Sequence, residues 1–250
     1  MDRKFEPVMP GRQSQLPPLP AGMPRAQSAD AVLLPISQNT VLRNTYWLLS
    51  LSLLPTIVGA FVGMQLGLAA YIAASPIVGS LVMLGVMIGS LFIVTRLRNS
   101  SWGVVALFAF TFIAGVALTP ILTVAAGFRN GWQLVGLAAG LTAAIFFVLA
   151  AIATVTKKDF SFMGQFLMAG AILLFFAFLI AMFFPVPAVT VTLSAIAVLI
   201  FSGFILYDVS RIIHGGETNY IMATLSLFLD LFNVFINLLN LLLAFTGNRD

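Results

Sequence analysis

The sequence predicts an all-α, polytopic membrane protein of seven transmembrane helices, the seventh of them central and the N-terminus cytoplasmic. Three observations predict it. Hydrophobic residues make up 60% of the 250-residue chain and charged residues only 8%, where a soluble domain carries about 25% charged residues. Apolar runs of about 20 residues, enough to cross a hydrocarbon core about 30 Å thick, recur along the chain. Lysine and arginine gather in alternate loops. There is no cysteine, which excludes disulfides and thiol chemistry. No basic patch interleaved with aromatics points to nucleic acid.

Residues 1–40 stand apart in composition. They hold seven of the 12 prolines, together with Gly, Ser and Gln. No apolar stretch follows Arg3 and Lys4, as a signal peptide would require. The expectation is a disordered, Pro-rich cytoplasmic tail ahead of a membrane domain over 41–250. Such a tail is a solvated leader, or a handle for a partner, since Pro-rich peptides dock in aromatic grooves.

The seven runs are predicted at about 45–66, 70–94, 102–125, 132–155, 162–184, 188–213 and 220–246. Pro55 falls inside the first, Pro76 near the start of the second and Pro120 near the end of the third, while Pro185 and Pro187 separate the fifth from the sixth. With the N-terminus inside, Arg3, Lys4, Arg12, Arg25, Arg43, Arg96, Arg98, Lys157, Lys158 and Arg211 are all cytoplasmic, and only Arg129 and Arg249 lie outside. That is the asymmetry the positive-inside rule describes. Trp102 and Trp132 begin their runs, where interfacial aromatics belong. Gly59, Gly63 and Gly67, Gly85 and Gly89, and Gly136 and Gly140 recur at four-residue spacing, which lets helix backbones approach closely.

The seventh run carries the polar residues that matter. Ser226, Asp230, Asn233, Asn237 and Asn240 are spaced four, three, four and three apart, so at about 100° per residue they share an arc of about 80°. Such a stripe is unfavourable against lipid and should face protein or trapped water. The sixth run holds Asp208 near its end. A membrane-embedded ionisable residue is a functional candidate by default. Asp208 has two candidate partners, Arg211 one turn on and Asp230 on the neighbouring helix. Asp230 could equally bond across helices as a neutral acid, and the asparagines could serve as interhelical bonds. A turn at Gly215 and Gly216 would leave the two carboxyls offset by about 10 Å along the helices. If they meet, two carboxylates in low dielectric cannot both ionise easily and share a proton. They also offer oxygens to a hard cation, but calcium takes about six to eight, so weak transit suits them better than storage. His214 and Glu217 form a His-x-x-Glu in the Gly-Gly turn, too few ligands for a metal site, and leave His214 as a candidate pH-sensitive contact. Membrane aspartates on adjacent helices resemble the layout of intramembrane aspartyl proteases. Those enzymes carry Gly-x-Gly-Asp, whereas Leu227, Phe228 and Leu229 precede Asp230. The chain is expected not to be an enzyme and to use no cofactor.

Tyr207-Asp208, the HGGETNY turn of His214–Tyr220 and the Leu-Phe-Leu-Asp-Leu-Phe-Asn run of Leu227–Asn233 resemble the signature of the Bax inhibitor-1, or transmembrane Bax inhibitor motif, family. HGGETNY is similar to its bacterial YccA-like branch. The resemblance implies six helices around the seventh, a bacterial inner-membrane location, and a pH-sensitive calcium leak gated by a di-aspartyl pair, here Asp208 and Asp230. The branch also implies a partner, the membrane protease FtsH, which such a protein would restrain. Some members place an arginine in the second span that reaches an aspartate; here Arg96 and Arg98 lie only at that span's end, a departure from that latch, and Arg211 is a separate latch candidate. The YccA-like branch need not keep both aspartates, so their retention favours ion conduction.

Overall fold

A computed structural model describes residues 25–247, with side chains from residue 39. Two compact units are distinguished, residues 1–36 and 37–250. Residues 1–24, most of the stretch expected as a Pro-rich tail, lie outside the described residues, and the described part of the first unit, 25–36, is helical.

The described chain runs through α1 (Arg25–Gln65), α2 (Leu68–Ala74), α3 (Pro76–Leu97), α4 (Trp102–Ala117), α5 (Thr119–Ala126), α6 (Gly131–Thr156), a 3₁₀ turn (Ser161–Met163), α7 (Gly164–Phe183), α8 (Pro187–Ile213) and α9 (Tyr220–Gly247). Seven stretches are long and apolar enough to cross a membrane: Asn39–Gln65, Pro76–Leu97, Trp102–Ala126, Gly131–Thr156, Ser161–Phe183, Pro187–Ile213 and Tyr220–Gly247. The all-α, seven-span polytopic class is therefore the predicted one. The second run is shorter than expected, because Pro76 begins a new helix instead of sitting inside one; proline fits the first helical turn, where its missing N–H costs nothing. The same effect divides the third span at Leu118, ahead of Pro120.

α9 packs against α8, α6, α4 and α5, and its Thr224 hydroxyl reaches the carbonyl of Thr45 on α1 at 3.4 Å. It is the central element. One buried cluster joins Phe110, Phe146, Ile205, Val209, Leu225 and Phe228, and a second joins Leu118, Leu122, Leu134, Leu239 and Leu243. Phe228 meets Phe110 edge-on and stacks on Phe232. The outward faces of α3, α6 and α7 expose large apolar side chains such as Phe92, Phe147 and Leu173, as lipid contact requires.

Only some of the glycines fulfil the packing expectation. A Cβ at Gly59 would overlap the Phe112 carbonyl, one at Gly63 the Thr119 hydroxyl, and one at Gly115 the Thr56 carbonyl, so α1 and the third span touch backbone to backbone. Gly67 instead ends α1 with a φ of 64°. Nothing lies within 4 Å of a Cβ at Gly85, Gly89, Gly136 or Gly140.

One end of the bundle is bolted by polar side chains. Asn219 donates to the Arg98 carbonyl and to Asn99 Oδ1, at 2.9 and 3.0 Å. Ser210 accepts from the Phe160 N–H and donates to the Lys158 carbonyl. Together with the Thr224–Thr45 bond, these contacts bring the segments bearing Arg43, Arg96, Arg98, Lys157, Lys158 and Arg211 to one end. Arg129 lies in the α5–α6 turn, at the other.

Candidate functional site

The site is built where the end of α8 meets the first half of α9. α8 stops in a Schellman motif: the Gly216 N–H donates to the Arg211 carbonyl at 2.8 Å and the Gly215 N–H to that of Ile212. Gly215 takes a φ of 75°, which glycine adopts without the Cβ clash that other residues meet. Residues 214–219 then run without helix to Asn219. Asn219 is the N-cap of α9, its Oδ1 accepting from the Ile221 and Met222 N–H groups and its carbonyl from Ala223.

This non-helical segment resolves the expected offset. Asp208 lies five residues before the end of α8 and Asp230 ten after the start of α9. At 1.5 Å per residue the helix ends differ in level by about 7 Å, a distance that 214–219 can span because extended chain covers about 3.3 Å per residue. The two carboxyls consequently stand within hydrogen-bonding reach of one another. Asp208 is 8% and Asp230 5% exposed. Asp230 Oδ2 is fully buried and receives no donor. The other buried oxygens without a partner among the described residues are Thr45 Oγ1, Tyr46 Oη and Ser194 Oγ; only Asp230 supplies a carboxyl.

Arg211 does not form the ion pair with Asp208 that its spacing allowed. Its guanidinium meets Glu217 Oε2 at 3.4 Å and the Gly216 carbonyl at 3.2 Å, while remaining close enough to Asp208 to act on it electrostatically. Glu217 is fixed through its other oxygen, which accepts from the Asn219 N–H at 2.9 Å. The turn thus supplies the counter-ion that α8 alone does not.

The asparagines do less across helices than the sequence suggested. Asn233 Nδ2 donates to the Leu229 carbonyl and Asn237 Nδ2 to that of Asn233, both within α9. Asn237 is buried, and Ser226, Asn233 and Asn240 are half-buried. Asn240 borders a cavity of about 290 Å³ with Pro185, Pro187, Thr190 and Ser194, at the other end of the bundle. The stripe therefore runs from the carboxyl pair to that cavity. His214 lies in the turn with both ring nitrogens against backbone carbonyls. No cluster of three or more His, Cys, Asp or Glu side chains exists among the described residues, so the pair offers a passing cation two carboxylates, far short of calcium's full shell.

Ser210 and Asn219 join this site without having been singled out in the sequence. An Asn directly before the first residue of an apolar helix is an N-cap signal and could have identified Asn219. Nothing local marks Ser210, whose partners are 50 and 52 residues away.

A family model described as "Inhibitor of apoptosis-promoting Bax1" matches residues 38–247. An uncharacterized membrane protein of Vibrio cholerae is 43% identical over 85% of this chain and 93% of its own length. An uncharacterized protein of Pseudomonas aeruginosa is 42% identical over 80% of this chain and 87% of its own. The Escherichia coli protein named "Modulator of FtsH protease YccA" is 39% identical over 83% of this chain and 91% of its own.

Proposed function

The chain belongs to the Bax inhibitor-1 family, and from that premise we propose that it is a pH-sensitive calcium leak of the bacterial inner membrane, gated by Asp208 and Asp230. One observation carries the reading. A buried carboxyl oxygen has no donor around it, and its neighbour is a second carboxyl from the adjacent helix. A single shared proton turns two repelling acceptors into a donor–acceptor pair and ties α8 to α9. When that proton leaves, two like charges in a low-dielectric interior drive the helices apart. The asparagine stripe continuing along α9 from Asp230 supports a polar route onward. The gathering of basic residues at one end supports an N-terminus in the cytoplasm. The expected outcome is that Asp230→Asn, which keeps a donor at every pH, flattens the pH dependence of calcium flux in liposomes. Flux unchanged between about pH 6 and about pH 8 in both proteins ends the reading.

A second reading, compatible with the first, is that of a modulator which binds and restrains the FtsH protease. It is favoured by the name of the E. coli relative. Residues 1–40 are the proposed handle, a Pro-rich tail ahead of the membrane domain. Deleting them is expected to reduce co-purification with FtsH severalfold, and equal recovery of both forms counts against the handle.

A further inference from the structure

His214 offers a separate device at the bolted end of the bundle. Its Nδ1 lies 2.8 Å from the Ser210 carbonyl oxygen and its Nε2 3.1 Å from that of Lys157. A neutral imidazole has one donor and one acceptor, whereas the imidazolium has two donors. Both oxygens that His214 faces are carbonyls, which only accept. A neutral ring would therefore press one lone pair against a carbonyl. The Ser210 hydroxyl, 3.4 Å from Nδ1, offers no relief, because it already donates to the Lys158 carbonyl at 3.2 Å and accepts from the Phe160 N–H at 3.0 Å. The backbone points to the same place. Lys157 has a φ of 51°, the sole positive value outside glycine among the described residues. Lys157 is the left-handed C-cap of α6, its N–H donating to the Ala153 carbonyl, and its own carbonyl is the one His214 reaches.

We propose that His214 is a proton-operated clip, fastening the α6–α7 connection to the C-terminal end of α8 when its ring is charged and releasing it when the ring is neutral. The charges around it are few. Asp159, on the same connection, attracts the ring. Lys157 and Lys158 flank it with like charge, their side chains exposed. Arg211, one turn back on α8, is held on Glu217 and the Gly216 carbonyl. Arg98 lies in the neighbouring α3–α4 turn, tied to Asn219 through its carbonyl. The bonds need two donors, so the clip is closed in acid and opens as pH rises. Histidine changes charge between about pH 5 and about pH 8. Asp159 does not titrate there: hydrogen bonds from Ser161, with the His214 charge adding to them, hold its carboxyl below the usual carboxylate range. The clip does not depend on the carboxyl pair and is read out without ion flux.

The chain has one histidine and no cysteine, so ring signals are unambiguous. The full-length protein, labelled with ¹⁵N-histidine in lipid nanodiscs, is titrated over that range. Both ring nitrogens and the exchange protection of the Phe160 amide, corrected for intrinsic exchange, are followed together. Both nitrogens should be protonated while the amide is protected. Protection should fall about three- to tenfold as the ring loses its proton, the size of one lost hydrogen bond. His214→Gln should show low protection with no such step. A ring that becomes neutral with protection unchanged overturns the proposal, as does the same step in His214→Gln. Should that variant fail to fold, the wild-type titration decides alone.

Discussion

Asn219 concentrates more hydrogen bonds than any other side chain of the turn. It caps α9 through Ile221 and Met222 and ties that cap to the α3–α4 turn through Arg98 and Asn99. Asn219→Ala removes both roles. Loss of an N-cap costs about 1 kcal/mol, and the half-exposed bonds to the turn add roughly 0.5 kcal/mol. The melting midpoint in detergent should fall by a few degrees, with the fold retained; an unchanged midpoint would show that the turn holds α9 without it. At this scale the sequence was partly readable. Asp208 and Asp230 stand out because a carboxyl inside an apolar run needs a reason. That they meet did not follow, since the level arithmetic depends on how long the chain stays non-helical after Gly215, and residues 217–219 carry no breaker stronger than a cap. Arg211 was legible as a latch candidate by spacing, but its choice of Glu217 over Asp208 is set by the turn that brings Glu217 back over α8.

Among helices, the glycines separate into two kinds that spacing cannot distinguish. Gly59, Gly63 and Gly115 allow α1 and the third span to touch, while Gly85, Gly89, Gly136 and Gly140 face open space. Gly59→Ala must push the Phe112 backbone aside and should destabilise by about 1–3 kcal/mol. Gly85→Ala meets nothing and should be neutral or slightly stabilising, because alanine favours the helix by up to about 1 kcal/mol. Unfolding of both variants in mixed micelles checks the contrast, and equal effects would mean that the α1 contact yields without cost. Element number and type were legible because apolar length and proline placement are local properties. Which small residues are buried is a property of the neighbour, and no single-helix pattern contains it.

For the molecule as a whole, seven spans with a polar-striped, central seventh follow from composition, period and charge placement. What those do not contain is the asymmetry between the two ends. At one end, Asn219, Ser210 and His214 knit three connections together through side-chain bonds. At the other, Asn240 and Ser194 border an open cavity. The carboxyl pair lies between the side-chain-bonded end and this open pocket.

The polar stripe of α9 also bears on how the protein is made. An aspartate at the centre of a helix costs about 2.5–3.5 kcal/mol when the translocon passes that segment to lipid, and each Leu, Ile, Phe or Val returns only about 0.3–0.6 kcal/mol. With three asparagines on the same side, α9 enters a bilayer by itself on a narrow margin. Its insertion is helped by whatever already waits in the membrane to receive Asp230, and Asp208 on the preceding span is positioned to do so. Biogenesis would then draw on the same pair of acids as the proposed gate.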